Sequence, residues 1–262
     1  MTQPKPVALI SGASRGIGAA TAREMGRRGY HVIVNYRSSA EAADAVVAAI
    51  AEEGGSAQSA QADVCDAGQV AGLVERVRSE HGRIDVLILN ANTVNPSFVP
   101  LTELSWDAFA EKLDGELSGV FHLSRHALAL MREQRSGRIV FISSTATDFI
   151  GMAVAHSTAK AALNTFSRHV AGVGAQFGVR VNTVSFGAVR TESSGAGFSE
   201  GLRKFLTDRS VLSRLVEPED AARAVAAVAD EEFGAVTGQL IRVDGGFGIL
   251  DQQLHPMAEH FS

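Results

Sequence analysis

The stretch that most constrains this chain lies at residues 7–18. Val7-Ala8-Leu9-Ile10 is short and wholly apolar, as a buried strand would be, and Ser11-Gly12-Ala13-Ser14-Arg15-Gly16-Ile17-Gly18 follows it at once. A helical pattern then runs from Gly18 to Arg28 and stops at Gly29. Glycines at 12, 16 and 18 permit a tight turn and a close backbone approach. Such a junction aims backbone N–H groups and the positive end of a helix dipole at one point, which suits a pyrophosphate. A glycine pattern between a strand and a helix near the start of a βαβ unit reads as a dinucleotide site.

The rest of the chain repeats the alternation. Strands are expected at residues 31–36, 57–62, 84–89, 138–142, 179–184 and 239–243, and helices at 40–53, 106–132, 155–177 and 218–229. That order predicts an α/β fold: βαβ units that build a parallel sheet, in one domain spanning 1–262. At 45% hydrophobic content the 262 residues can fill one large core. Residues 187–213, with Ser193-Ser194-Gly195-Ala196-Gly197, are the one loose stretch. They directly follow a strand, where open sheets bind ligands, so a mobile substrate lid is expected. Phe247, Ile249 and Leu250 open an apolar tail over 247–262, expected to pack on a partner subunit or to cover the site.

Net charge is −5 with 20% charged residues, which gives no nucleic-acid surface. The one cysteine, Cys65, cannot form an intrachain disulfide. No apolar run reaches the ~18 residues needed to span a bilayer. Met1 to Pro6 lack the pattern of a signal peptide, so a soluble cytoplasmic protein is expected. His122 and His126 are four apart on a helix, but no carboxylate or cysteine nearby completes a set, and no metal is expected. Ser157 lacks the Gly-x-Ser-x-Gly setting of a nucleophile. Trp106 and the scattered phenylalanines are expected in the core or an interface.

A dinucleotide site of this kind commonly carries an acidic residue about 20 positions on, for the ribose 2′-hydroxyl. Here the second strand ends Val34-Asn35-Tyr36-Arg37-Ser38, without a carboxylate. Arg15 and Arg37 place positive charge at that corner, so NADP(H) is preferred and NAD(H) remains possible.

With these residues in view, the chain resembles the short-chain dehydrogenase/reductase family, in its 3-oxoacyl-carrier-protein-reductase-like branch, over residues 7–246. Besides the glycine loop, Asp63-Val64, Asn90-Ala91, Ser144, Lys160, Gly187-Ala188-Val189-Arg190-Thr191 and Val243-Asp244-Gly245-Gly246 match its motifs. The resemblance implies a single-domain, doubly wound Rossmann fold, a seven-stranded parallel sheet with helices on both faces, and a homo-oligomer, tetramer or dimer. It implies a cofactor held by Gly12, Ser14, Arg15, Gly16, Ile17 and Gly18, by Tyr36, Arg37 and Ser38, by Asp63, Val64, Asn90 and Ala91, and by Lys160, Gly187, Val189 and Thr191. It also implies that Ser144, rather than its neighbour Ser143, polarises the oxygen of a small carbonyl or alcohol substrate.

The departures gather at the chemistry. His156 stands where the family has its tyrosine, four residues before Lys160. Glu116 replaces an asparagine, Leu89 and Asn92 replace residues of the motif around Asn90, and Phe186 replaces a proline. A histidine with an ordinary pKa of ~6.5 can act as general acid or base, although a neighbouring Lys160 disfavours its charged form. A carboxylate at ~5 Å in an effective dielectric of ~20 contributes about 3 kcal/mol, or roughly two pKa units. Glu116 is therefore expected to offset the lysine in a Glu–Lys–His catalytic set around Ser144. Two alternatives stay open: non-redox chemistry (dehydration, isomerisation or cyclisation) with His156 as a base, and cofactor binding without turnover.

Overall fold

The computed structural model describes residues 5–95, 97–151, 153–192 and 198–252. Within them, β1 (Val7–Ile10), β2 (His31–Tyr36), β3 (Ser56–Gln61), β4 (Val86–Leu89), β5 (Gly137–Ser144), β6 (Val179–Phe186) and β7 (Leu240–Val243) form one sheet. All its pairings are parallel and its order is β3-β2-β1-β4-β5-β6-β7. The helices between them are α1 (Gly16–Arg27), α2 (Ala40–Glu52), α3 (Ala67–His81), α4 (Trp106–Gln134), α5 (Val154–Ala175), α6 (Glu200–Asp208) and α7 (Pro218–Val228).

Side-chain alternation along the strands divides the core in two. Leu9, Ile33, Leu87, Ile139 and Phe141 face Val70 and Val77 of α3, Leu123 and Met131 of α4 and Leu163 of α5. Their neighbours Ala8, Ile10, Val32, Val34, Ile88 and Val140 face Met25 of α1, Ile50 of α2 and Val225 of α7. Strands covered on both sides need no polar face, which is why β1 and β4 are uninterrupted apolar runs buried at every position. The chain moves outward to β3 on one side of β1 and then returns to start β4 on the other. A crevice opens at that switch, beyond the carboxyl ends of the strands.

Two helices have no counterpart in the expected elements. In α3 the buried residues Val70, Leu73, Val74 and Val77 follow helical spacing, but Gly68 and Gly72 dilute the pattern. Its ends are well defined: the Asp66 carboxylate accepts from the Gln69 N–H, and Gly82 closes it with φ 74°. Helix α6 lies inside the stretch expected to be loose and buries no residue, so no core face announces it. The start of that stretch is docked, because Val189 bridges to Val216 and Arg190 pairs with Glu217. Residues 193–197 lie outside the described residues, as do 253–262 of the tail. The tail's first aromatic, Phe247, packs on its own chain, against Phe149 at 5.4 Å and Phe205 at 6.4 Å between ring centroids. No described helix is long and apolar enough to cross a membrane.

Candidate active site

The glycine loop is held from below by side chains. Ser11 is buried, and its hydroxyl accepts from the N–H groups of Asn90 at 3.0 Å and Ala91 at 3.1 Å while donating to the Ile88 carbonyl. The Asn90 amide donates to the carbonyls of Ser11 and Gly12, both at 3.0 Å. Asn35 is buried too: its backbone carbonyl accepts from the Ala13 N–H, and its side-chain amide donates to the carbonyls of Ala60 in β3 and of Ala62 just after it. The Asn90 side chain thus fixes the loop, and with Ser11 and Asn35 it ties the cradle to β2, β3 and β4.

Gly12 and Gly16 have φ of +61° and +54°, which disfavours any side chain. At Gly18 a Cβ would lie 2.4 Å from the Gly12 carbonyl oxygen and 2.5 Å from the Asn90 amide nitrogen. Gly18→Ala is expected to cost about 1–3 kcal/mol of stability through overpacking and to weaken binding of the NAD(P)(H) cofactor about tenfold. Gly72→Ala, in open space on α3, is the control and should be neutral or stabilising. Thermal unfolding and titration of cofactor fluorescence measure both.

The crevice is an open cleft of ≈ 800 Å³. Gly12, Ser14, Arg15, Gly16, Ile17, Gly18, Tyr36, Arg37, Ser38, Asp63, Val64, Asn90, Ala91, Lys160, Gly187, Val189 and Thr191 all line it, together with Ser144 and His156. At the β2 corner the Arg15 guanidinium donates to the Ser39 hydroxyl, and Arg37 and Ser38 are exposed beside it. The cradle fits a pyrophosphate: a tight glycine turn leads into the N-terminus of α1, and two arginines lie alongside. Trp106, by contrast, is 74% exposed at the start of α4 and does not line the cleft.

Ser144, Ser143, His156 and Lys160 line the end of the cleft beyond β5. The Ser144 hydroxyl accepts from the Ala146 N–H at 3.1 Å, which leaves its own hydrogen for the cleft. Ser143 is buried and its hydroxyl has no partner among the described residues.

Glu116 does not line the cleft. It is buried behind the wall, with its side chain 1% exposed, and each carboxylate oxygen takes a different lysine. Oε1 accepts from Lys160 at 2.6 Å and Oε2 from Lys112 at 2.9 Å. Lys160 also donates to the Ile142 carbonyl at 2.8 Å. Lys112, whose side chain is likewise 1% exposed, donates further to Asn92 Oδ1 at 2.7 Å and to the Val94 carbonyl at 2.9 Å. Burial pushes the Glu116 carboxyl up, but the two ammonium groups more than offset it and hold it below the usual carboxylate range. Burial also lowers the Lys112 ammonium, opposed by Glu116.

This changes the expected role of Glu116. Its charge is answered by two cations rather than one, so the cluster keeps an excess positive charge. Burial, then Lys160, then Lys112 lower the His156 pKa to about 4, and Glu116 opposes them without prevailing. His156 is a neutral imidazole near pH 7. Its Nδ1 is buried with no partner among the described residues. Lys112 was not among the expected site residues. Its signal, a lysine four residues before Glu116 on one helix, ordinarily reads as an exposed surface pair.

Residues 12–248 match the family described as enoyl-(acyl carrier protein) reductase. The chain belongs to the short-chain dehydrogenase/reductase family. Relatives of this short-chain oxidoreductase include the 3-oxoacyl-[acyl-carrier-protein] reductase of Synechocystis sp., 38% identical over 243 residues, 92% of this chain and 96% of that protein. The cis-4-hydroxycyclohexanecarboxylate dehydrogenase of Sinomonas cyclohexanicum is 37% identical with the same coverage. Among solved structures, 7α-hydroxysteroid dehydrogenase complexed with NADH and 7-oxo glycochenodeoxycholic acid superposes with a TM-score of 0.87 at 26% identity. That likeness covers 92% of this chain and 94% of the steroid enzyme. The short-chain family is one of NAD(P)(H)-dependent oxidoreductases, and this chain is one of them.

Proposed function

We propose that this short-chain oxidoreductase interconverts a carbonyl and an alcohol with NADP(H) in preference to NAD(H), with Ser144 and a neutral His156 at the substrate oxygen. The observation that carries this reading is the sharing of one cleft by the glycine loop, Ser144, His156 and Lys160. When bound, the cofactor supplies or takes up the hydride. The protein's own residues act at the oxygen.

A neutral imidazole carries one ring proton. A buried bare lone pair is a cheaper orphan than a buried N–H, so the burial of Nδ1 favours the proton on Nε2. His156 then hydrogen-bonds the substrate oxygen through that N–H beside the Ser144 hydroxyl, and the proton that completes the alcohol is drawn from solvent through the open cleft. Two neutral donors stabilise charge developing on an oxygen without first being ionised themselves. Lys160 has three N–H donors, of which Glu116 and Ile142 engage two among the described residues. The third supports the reading that Lys160 holds the nicotinamide ribose.

Arg15 and Arg37, with no carboxylate at the end of β2, support NADP(H). Arg37→Ala is expected to raise the Kd for NADPH about tenfold or more and leave that for NADH nearly unchanged, as measured by cofactor fluorescence. Equal weakening of both would contradict the preference.

We further read the protein as a cytoplasmic homo-oligomer, in keeping with its single cysteine and with the exposed apolar side chains Phe121 (47%) and Val173 (49%) on α4 and α5. The functional test is NADPH consumption across a panel of a 3-oxoacyl thioester, a 4-oxocyclohexanecarboxylate and a 7-oxosteroid. Turnover of any of them supports the reading. Tight NADPH binding without consumption of any would replace it with cofactor binding alone.

A further inference from the structure

We infer that Lys112 is a positioning residue of the reacting end: by bridging Glu116, Asn92 and the Val94 carbonyl, it holds Lys160 and the 92–94 segment in place and sets the charge that His156 meets. The inference rests on the reading of His156 as the substrate-facing group, but its test does not need turnover.

The geometry requires an ammonium ion. Lys112 Nζ lies at 2.7 Å from Asn92 Oδ1, 2.9 Å from the Val94 oxygen and 2.9 Å from Glu116 Oε2. Three acceptors need three N–H donors, which only the protonated amine supplies. Glu116 in turn reaches Lys160, and Lys160 reaches the Ile142 carbonyl. One buried chain of contacts thus joins the segment after β4, helix α4, helix α5 and the end of β5. Asn92, Ile142 and Lys160 are also parts of the cleft wall. His156 sits one helical turn before Lys160 on α5 and shares that wall.

The cluster holds two cations and one anion, so it carries a net charge of one positive unit. The groups acting on His156 are Lys160 from its own helix and Lys112 and Glu116 from α4. Glu192 after β6, Asp63 after β3 and Arg15 and Arg37 at the β2 corner also line the cleft. The lowering of His156 agrees in sign with the cluster's excess charge.

Charge arithmetic separates this role from a merely structural one. Lys112→Met makes the cluster neutral, Glu116→Gln makes it doubly positive, and the double variant Lys112→Met/Glu116→Gln returns it to one positive unit. The test follows the His156 ring resonance of the full-length chain from pH 8 to pH 4 by NMR, assigned by its loss in His156→Gln. Lys112→Met should raise the His156 pKa by at least about one unit. Glu116→Gln should not raise it, and the double variant should return it towards wild type even though it disturbs more contacts. The acid limb of kcat/KM should move in the same order.

An unmoved pKa in Lys112→Met, or a double variant that behaves like Lys112→Met, would overturn the inference. If Lys112→Met does not fold, the double variant with the wild-type net charge remains: a His156 pKa far from wild type there overturns it equally. The order of pKa values without any carbonyl turnover would overturn the proposed reaction and leave the charge role standing.

Discussion

His156→Ala should lower kcat/KM for carbonyl reduction by about 10²–10³, the usual cost of removing one preorganised donor at a developing oxyanion. NADPH affinity should change by less than about twofold, because the glycine loop and the β2 corner are untouched. Steady-state kinetics and a fluorescence titration on the same preparation separate the two. The ring should also leave a mark on stability. Its pKa falls from an ordinary value near 6.5 when unfolded to about 4 when folded. Between those values the unfolded chain holds a proton that the folded chain does not, so stability falls as the pH drops from about 6.5 to about 4. His156→Gln should remove that part of the slope, seen as a smaller loss of urea midpoint across the window.

The second large effect concerns Glu116. Glu116→Ala removes the one anion from between two buried lysines and leaves both ammonium groups uncompensated. The expected cost is about 3–5 kcal/mol, a large fraction of a typical domain's stability. Urea unfolding with an unchanged m-value measures it. The double variant Lys112→Met/Glu116→Gln should cost less than Glu116→Ala alone, since it removes one of the stranded charges as well as the carboxylate. Simple addition of the single effects would show that the three groups do not act as a unit.

The parts of the structure legible in the sequence are those with local causes. The strand, glycine loop and helix at Val7 to Arg27 are visible because turn chemistry and apolar patterning coincide within one short stretch. The sheet is legible because strands buried on both faces must be continuous apolar runs, as β1 and β4 are. Helix α3 is obscured by two glycines on its exposed side, and α6 by having no buried face. The reacting end is the least legible part, since its electrostatics depend on contacts far apart in sequence. Glu116 meets Lys160 across 44 positions. Lys112 meets Asn92 across 20, and nothing in the helical pattern of α4 marks it as buried. Without Lys112 the cluster counts as neutral, because one carboxylate balances one lysine. With it an excess positive charge adds to burial and to Lys160 in keeping the imidazole neutral.

The most direct measurement of this account is the pH dependence of single-turnover oxidation of bound NADPH by the best carbonyl substrate, in wild type and in His156→Ala. A neutral imidazole donor predicts a wild-type rate that is level from pH 8 down to about 5 and changes only as the pH nears about 4, with the variant at least about a hundredfold slower across the level range. A wild-type inflection near pH 6.5, or equal rates in the two proteins, would contradict it.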